Sequence, residues 1–545
     1  MRVPRVPRAL VGLGFLPAVV ASVVVLIDGS GRIPFAAARA AAQEAIPYTD
    51  AQGDELRHQV CTRCHKLPPP DVLPRGYWRD TVARMWLRRE NKLEPFQRGA
   101  AALLRVPDEF ARIGRWYTEH APQVLPPPDP WPAEGDHVPK FRKHFFSPRM
   151  SQTLVVANVR FVNLDGDARL ELLVCDMQYG MVMKLRPYQP DAPIETLAQL
   201  QNPAHASVVD LDGDGVKDVL VADLGDFLPS DHTKGAVAWL RGRADGTFVP
   251  FEIGGLPRVA DVEAADMNGD GRLDLLVGAF GWRKVGQTLL LINKTTDYTQ
   301  PSFEAQTIDG RAGAIHAIPT DLDGDKKMDL VVLIAQQHER VLAFYNNGPG
   351  AGFAMETLYA APHPNWGSSG IQLTDVDGDG DLDVLLSHGD TLDDDILKPY
   401  HGIQWLENKG GYEMEEHTLS TMPGVQRAIV ADLDGDRDQD VLAVAMLASD
   451  AGGVEAQLAS IGWLEQVAKG QFVKRSLERG LQRHLTVDAA DYDGDGDIDF
   501  AVGNIAGNFT PDGRQVPWVE VWENLTIVKA PARKAAGTAG AKRGQ

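Results

Sequence analysis

Seven copies of one acidic nine-residue phrase, beginning at Asn163, Asp210, Asp266, Asp321, Asp375, Asp432 and Asp491, divide most of this chain into units 47 to 59 residues long. A period of that size marks a stack or ring of supersecondary units, none of which buries its apolar face alone. In its fullest form the phrase reads DVDGDGDLD, residues 375–383. Oxygen ligands at positions 1, 3, 5 and 9, with a main-chain carbonyl at 7, can wrap a hard cation of calcium's size. Gly at positions 4 and 6 permits the tight backbone that turns the carboxylates inward. Mg²⁺ suits such a loop less well, because it demands strict octahedral geometry and keeps its waters.

The expected ligands, with position 7 acting through its carbonyl, are Asn163, Asp165, Asp167, Arg169 and Glu171 in copy one and Asp210, Asp212, Asp214, Val216 and Asp218 in copy two. Copy three supplies Asp266, Asn268, Asp270, Arg272 and Asp274, and copy four Asp321, Asp323, Asp325, Lys327 and Asp329. Copy five supplies Asp375, Asp377, Asp379, Asp381 and Asp383, copy six Asp432, Asp434, Asp436, Asp438 and Asp440, and copy seven Asp491, Asp493, Asp495, Asp497 and Asp499. Copies one, four and six lack the glycine at position 6, the last two carrying Lys326 and Arg437 there, and are expected to bind more weakly. The seven phrases hold 29 of the 75 acidic residues, so the net charge of −21 is largely local, and seven Ca²⁺ would bring it to −7. No basic face of the kind that neutralises phosphates stands outside the short C-terminal tail, which argues against nucleic acid as a partner.

After each loop runs an apolar strand such as DVLVA or DLLVG, then one ending in AVAWL, IQWLEN or VEVWEN, then one such as QFVKRSL. With the strand that enters the loop this makes four per unit, the number in a propeller blade. The seventh unit ends at residues 522–524 without an outer strand, and KFRKHFF, residues 140–146, matches QFVKRSL and stands directly before the first unit. That segment is expected to complete the last sheet and leave no open edge. In the entering strands the residues four and two positions before the first ligand are apolar, as in Val159 and Phe161 or Val262 and Ala264, and are expected to pack between sheets. The fifth position before it reads Asn158, His205, Asp261, His316, Gly370, Arg427 and Thr486. This is a ring expected to face the axis, as a water-filled channel mouth or a polar pocket. No nucleophile or general base can be assembled from spacing, so no catalytic residue is assigned.

Ahead of the repeats stands CTRCH, Cys61 to His65, in a chain with only three cysteines. C-x-x-C followed at once by His is the spacing of c-type haem attachment: the sulfurs lie one helical turn apart and the adjacent imidazole reaches the iron. A zinc site needs two more ligands, and a redox dithiol needs a βαβ context. Met85 is the expected sixth ligand, the alternative being a core Met85 with His120 or water on the iron, and a helix over residues 108–120 is expected to close the pocket through Phe110, Ile113, Trp116 and Tyr117 at helical spacing. Cys175 reads as a buried small hydrophobe.

The acidic loops resemble the FG-GAP or VCBS repeats of integrin-α-like propellers over residues 140 to about 525, and the stretch before them resembles a small single-haem cytochrome c. The resemblance implies a mainly β chain, a seven-bladed β-propeller with Ca²⁺-binding loops preceded by a small all-α cytochrome c domain. It further implies that the propeller binds or adheres. Expected domains are a signal peptide or membrane anchor (1–45), the cytochrome (46–130), the propeller (131–527) and a disordered tail (528–545). Arg2, Arg5 and Arg8 precede an apolar run over residues 9–27, which is long for a cleaved signal and just long enough to anchor, so the rest is expected to be periplasmic or extracellular. The first functional reading is an electron-transfer protein carrying one haem c and up to seven Ca²⁺, whose propeller binds a redox partner protein or an extracellular ligand or polymer. The alternatives are an oxidoreductase passing electrons from a sugar or alcohol to its own haem, and an adhesive propeller or polysaccharide lyase.

Overall fold

The computed structural model describes residues 50–92, 99–135, 139–147, 154–392, 394–411, 413–448, 453–481, 483–506 and 516–526. The expected export segment at 1–45 and the tail at 528–545 lie outside the described residues. No helix among the described residues is long and apolar enough to cross a membrane. Contacts divide the described residues into a unit of 50–56 with 75–119, and a unit of 57–74 with 120–526.

Among the described residues three α-helices precede the strands: α1 (Asp50–Cys61), α2 (Trp78–Arg89) and α3 (Asp108–His120). The helix expected over 108–120 is therefore present, and its apolar stripe of Phe110, Ile113, Trp116 and Tyr117 is buried. Such a stripe folds because residues three and four apart share one helix face. Trp78 stacks on Tyr117 with ring centroids 3.9 Å apart. A Cβ at Gly114 would already stand 3.7 Å from Val82, so the glycine sets how closely α2 and α3 approach. Met85 lies half-buried on α2.

The β unit repeats one plan. Around the second acidic loop the strands Pro203–Val209, Asp218–Asp223, Gly235–Gly242 and Phe248–Leu256 pair antiparallel in that order. Five such four-stranded sheets stand separately, and the first and seventh are joined by a short pairing of Leu154 with Ala506 and Val155 with Ile505. Residues 141–146 complete the seventh sheet as expected, running antiparallel to Val519–Asn524 with Phe141 opposite Asn524. The second strand of the first six sheets is buried along its length, as in Asp218–Asp223, whereas the fourth alternates or is exposed, as in Glu195–Gln199 and Phe303–Asp309. Continuous apolar runs suit strands covered on both faces, and alternation suits strands with one face in water.

Each pair of consecutive sheets shares an apolar cluster. Ala206, Val219 and Leu173 join sheets one and two, Trp239, Val262 and Leu275 join two and three, and Leu154, Val174, Ala501 and Val521 join seven and one. The entering strands are likewise neighbours in sequence, and the last, His484–Ala490, lies beside the first, Leu154–Val162. Every entering strand carries a bulge just before the fifth position from its loop, as between Pro203 and His205, Val259 and Asp261, or Val425 and Arg427. A bulge re-aims the following side chain, and here it does so in all seven copies.

Trp131 fastens the segment leading into the first sheet. It is 2% exposed, its backbone N–H donates to Gln457 O at 2.8 Å and its indole N–H to Thr421 O at 3.0 Å. A Cβ on Gly462 would come within 2.7 Å of the indole, so glycine is what makes the slot. Trp131→Ala is expected to destabilise the β unit by about 3–5 kcal/mol. A urea midpoint equal to that of wild type would show that the segment is not docked.

Candidate functional site

The acidic loops share one backbone. Position 4 is a glycine with positive φ in all seven copies, from 69° to 80°. Position 6 is also left-handed in copies two to seven, including Lys326 at 70° and Arg437 at 82°. Copies four and six thus reach the same loop as the glycine-bearing copies, with strain of about 1–2 kcal/mol at one residue. The position-1 carboxylate accepts the main-chain N–H groups that the turn frees. Asp375 Oδ1 takes Gly378 and Asp379, at 2.8 and 3.1 Å, and Oδ2 takes Gly380 at 2.9 Å. The position-5 carboxylate accepts the N–H of position 7, as Asp379 does from Asp381 at 3.0 Å.

Position 9 is buried and works twice. Asp383 Oδ2 accepts from Val376 N at 3.0 Å and Oδ1 from Asn408 N at 2.8 Å, tying the loop to the third strand. The same pair of bonds recurs on Asp218, Asp274, Asp329, Asp440 and Asp499. Each oxygen keeps a second lone pair for a cation. Carboxylate oxygens of Asp210, Asp212 and Asp218, of Asp375, Asp377 and Asp383, and of Asp321, Asp323 and Asp325 lie within 4.8 Å of one another. Ligands about 2.3–2.6 Å from one Ca²⁺ meet that spacing, so the donor set fits the ion. Burial pushes the Asp440 and Asp499 carboxyls up to about 7 and about 8, and burial together with Asp436 pushes Asp438 up to about 6. These are carboxylates short of counter-charge.

Copy one differs. Lys184 and Arg186 each reach Asp165 at 2.8 Å, and Arg169 reaches Asp167 at 3.0 Å. Glu171 accepts from Leu164 N, Asp165 N and the Tyr188 hydroxyl. Burial would raise Asp165, but its bonds to Lys184 and Arg186 outweigh that and hold it below the usual carboxylate range. The protein's own cations neutralise this loop. Elsewhere the partners are fewer: Arg241 on Asp212 at 2.5 Å and Asp214 at 3.5 Å in copy two, Arg272 on Asp270 at 2.5 Å in copy three, Lys327 on Asp325 in copy four and Lys469 on Asp377 at 3.4 Å in copy five.

The CTRCH segment ends α1, with Cys64 N donating to Cys61 O at 3.3 Å, so the two thiols sit one turn apart. Both are free, Cys61 half-buried and Cys64 exposed, and burial pushes the Cys61 thiol up to about 11. His65 Nδ1 donates to Lys66 O at 2.7 Å. That bond fixes the tautomer whose lone pair is on Nε2, the arrangement a metal-ligating histidine adopts. Lys66 Nζ donates to the carbonyls of Ala360 and Ala361 at 2.9 and 2.8 Å, and Tyr400 Oη to Val72 O at 3.2 Å, so the segment is held against the fourth and fifth sheets. Cys175 is fully buried, as expected.

Near that contact three histidines are buried without charge. His388 stacks on Trp366 with centroids 4.2 Å apart, and His363 and His401 pack edge-on to Tyr400. Burial pulls His363 down to about 4, His388 down to about 3 and His401 well below the ordinary value. Each therefore takes up its proton at higher pH in the unfolded chain than in the folded one, and stability falls as pH falls below about 6.5. Glu339, pushed up to about 7 by burial, works in the opposite direction over part of that range. In saturating Ca²⁺, where Asp438, Asp440 and Asp499 are expected to stay ionised, we expect a net loss of about 2 kcal/mol per pH unit between pH 6.5 and 5. A urea midpoint flat over that range would show that these imidazoles are charged in the fold.

The fifth-position ring is partly brought together. His205 Nδ1 lies 2.8 Å from Asp261 Oδ1, His316 Nδ1 lies 3.6 Å from Asp261 Oδ2, and Arg427 NH1 lies 2.9 Å from His316 Nε2. Burial would raise Asp261, but His205 and His316 hold it well below the usual carboxylate range. Two positions further along the same strands stand Arg160, Glu263 and Asp488, which the sequence reading did not single out. The period of two that puts alternate residues on one face could have found them. Several side chains of these entering strands cap a neighbouring entering strand: Asp488 accepts from Phe161 N at 2.7 Å, Asp261 from Ala317 N at 2.8 Å and Gln372 from Val430 N at 2.7 Å. The N–H groups along these strand edges need such partners, which is why the residues there are polar.

Fold and loops together define a mainly β protein of repeated four-stranded sheets carrying FG-GAP-like repeats, and the family model of that description matches residues 210–277 and 296–386. Among curated relatives, cartilage acidic protein 1 of Homo sapiens is 24% identical over 313 residues, covering 50% of this chain and 45% of the relative. Its counterpart in Xenopus tropicalis is 27% identical over 203 residues, covering 33% and 29%. The chain spans less than half the length of either. A solved structure of BBS1N in complex with ARL6DN aligns over 71% of this chain and 97% of its own, with a TM-score of 0.41 and 10% identity.

Proposed function

We propose that this chain is an exported electron-transfer protein in which one c-type haem is carried beside a calcium-braced, seven-bladed β-propeller. The observation that carries the reading is the CTRCH segment: two free thiols one turn apart, followed by an imidazole whose Nδ1 is already engaged. In this reading Cys61 and Cys64 hold the porphyrin through thioethers, His65 presents Nε2 and Met85 supplies the sixth ligand. A haem so bound is a one-electron carrier with a potential raised by thioether ligation. The shared clusters between every consecutive pair of sheets, the last and first included, support closure of the sheets into a propeller. The loops of copies two to seven would hold Ca²⁺, and copy one would not, because Lys184, Arg186 and Arg169 take the cation's place. Residues 9–27 would direct export to the periplasm or beyond and, uncleaved, anchor the chain. The partner would be a redox protein or an extracellular polymer.

Expression in a host able to mature c-type cytochromes tests the reading. A red protein with one covalent haem per chain is expected, and a colourless one overturns it. The inward-facing polar cluster around Asp261 favours a second reading, an oxidoreductase feeding its own haem. Reduction of the haem by a sugar or alcohol without a partner protein would select that reading.

A further inference from the structure

We propose that His205, Asp261 and Glu263, on the inner faces of the second and third sheets, form a binding site for one divalent transition-metal ion. The site is separate from the acidic loops, and the inference does not depend on the haem reading. The bulges before His205 and Asp261 turn both side chains to the same inner face, and Glu263 follows Asp261 at the strand period. One ligand atom from each of the three lies within 4.8 Å of the other two.

The contact between His205 and Asp261 is the informative one. Nδ1 and Oδ1 are 2.8 Å apart, yet they are not aligned as a hydrogen bond, and both are buried without another hydrogen-bond partner. Two donors each about 2.0–2.2 Å from one ion, at close to a right angle, stand at such a separation. An ion between them satisfies both atoms at once.

The surroundings orient the set. Asp261 Oδ2 is fixed by the Ala317 N–H at 2.8 Å and faces His316, whose Nε2 accepts from Arg427 at 2.9 Å. A Cβ at Gly370 would press within 3.0 Å of the Arg427 guanidinium, so the glycine leaves that side chain its place. Outer partners of this kind hold a ligating carboxylate in one direction. Arg160, 3.3 Å from Glu263 and 40% exposed, is the competing cation, and its exposure lets it swing into solvent when the ion binds.

An imidazole with two carboxylates selects against Ca²⁺, which takes oxygen ligands, and suits Zn²⁺ and its d-block neighbours. Three protein ligands leave coordination positions open, as in catalytic rather than structural zinc sites. His205 and Glu263 are 16% and 25% exposed, so those positions reach solvent.

The test uses the full chain in saturating Ca²⁺, incubated with Zn²⁺, passed through gel filtration and examined by metal analysis and zinc X-ray absorption. One Zn²⁺ per chain with a nitrogen and oxygen shell that includes imidazole is expected. Retention should weaken by about tenfold or more in His205→Ala and in Glu263→Gln. Glu263→Gln keeps the side-chain shape, and each variant's fold is checked by its Ca²⁺-dependent melting. Wild type retaining no zinc, or folded variants retaining it undiminished, overturns the proposal. So does a sulfur-containing shell, which would place the ion at Cys61 and Cys64.

Discussion

Replacing Cys61 and Cys64 together by serine should abolish covalent haem, leaving a chain whose haemochrome spectrum after acid–acetone extraction is blank. The effect is all-or-none because each thioether is a covalent bond and the histidine alone holds haem only reversibly. Single replacements should leave one thioether and a shifted absorption maximum. The β unit should survive, since the two thiols are exposed or half-buried and neither stands in any of the clusters between sheets. Met85→Ala should keep the covalent haem and lower its reduction potential. Wild type and the double variant with equal haem content would end the electron-transfer reading, and an unchanged potential in Met85→Ala would remove Met85 from the iron.

Chelation of Ca²⁺ should be the larger perturbation of stability. Each site filled at 100 times its dissociation constant contributes about 2.7 kcal/mol, so even two sites rival the 5–15 kcal/mol by which a domain is ordinarily stable. Removal also leaves carboxylates such as Asp438, Asp440 and Asp499 crowded without counter-charge, as their raised values indicate. A fall in melting temperature of about 10 °C or more on adding chelator is expected. Equilibrium dialysis should count six Ca²⁺, falling by one in Asp377→Asn and unchanged in Asp165→Asn. A melting temperature indifferent to chelator would overturn the calcium assignment, and a count of seven would overturn the exclusion of copy one.

Much of this was legible in the chain because it is local. Seven acidic phrases with glycine at fixed offsets specify left-handed turns wherever they occur, and the observed φ values at positions 4 and 6 follow. The period-two apolar pattern placed the residues between sheets, and the likeness of residues 140–146 to the outer strands foretold their pairing with Val519–Asn524. Copy one was expected to bind more weakly for want of a glycine at position 6, and the sheet adds a feature that spacing could not show. Lys184 stands on the third strand and Arg186 just beyond it, and only the sheet brings them to Asp165. Position 9 was read as a ligand, and its second role in receiving a distant strand's N–H could not be seen without the register.

What the amino-acid order determined by itself is every feature set by spacing along the backbone: the loops, the strand count, the C-x-x-C-H spacing at Cys61 to His65 and the apolar faces. Tertiary structure alone decided which separated residues meet. It seated Trp131 over Gly462, pressed Lys66 onto Ala360 and Ala361, and aimed His205, Asp261 and Glu263 from two sheets at one point. The physical reason is range: turn chemistry acts over a few bonds, whereas convergence depends on how sheets pack and where each bulge re-aims a side chain.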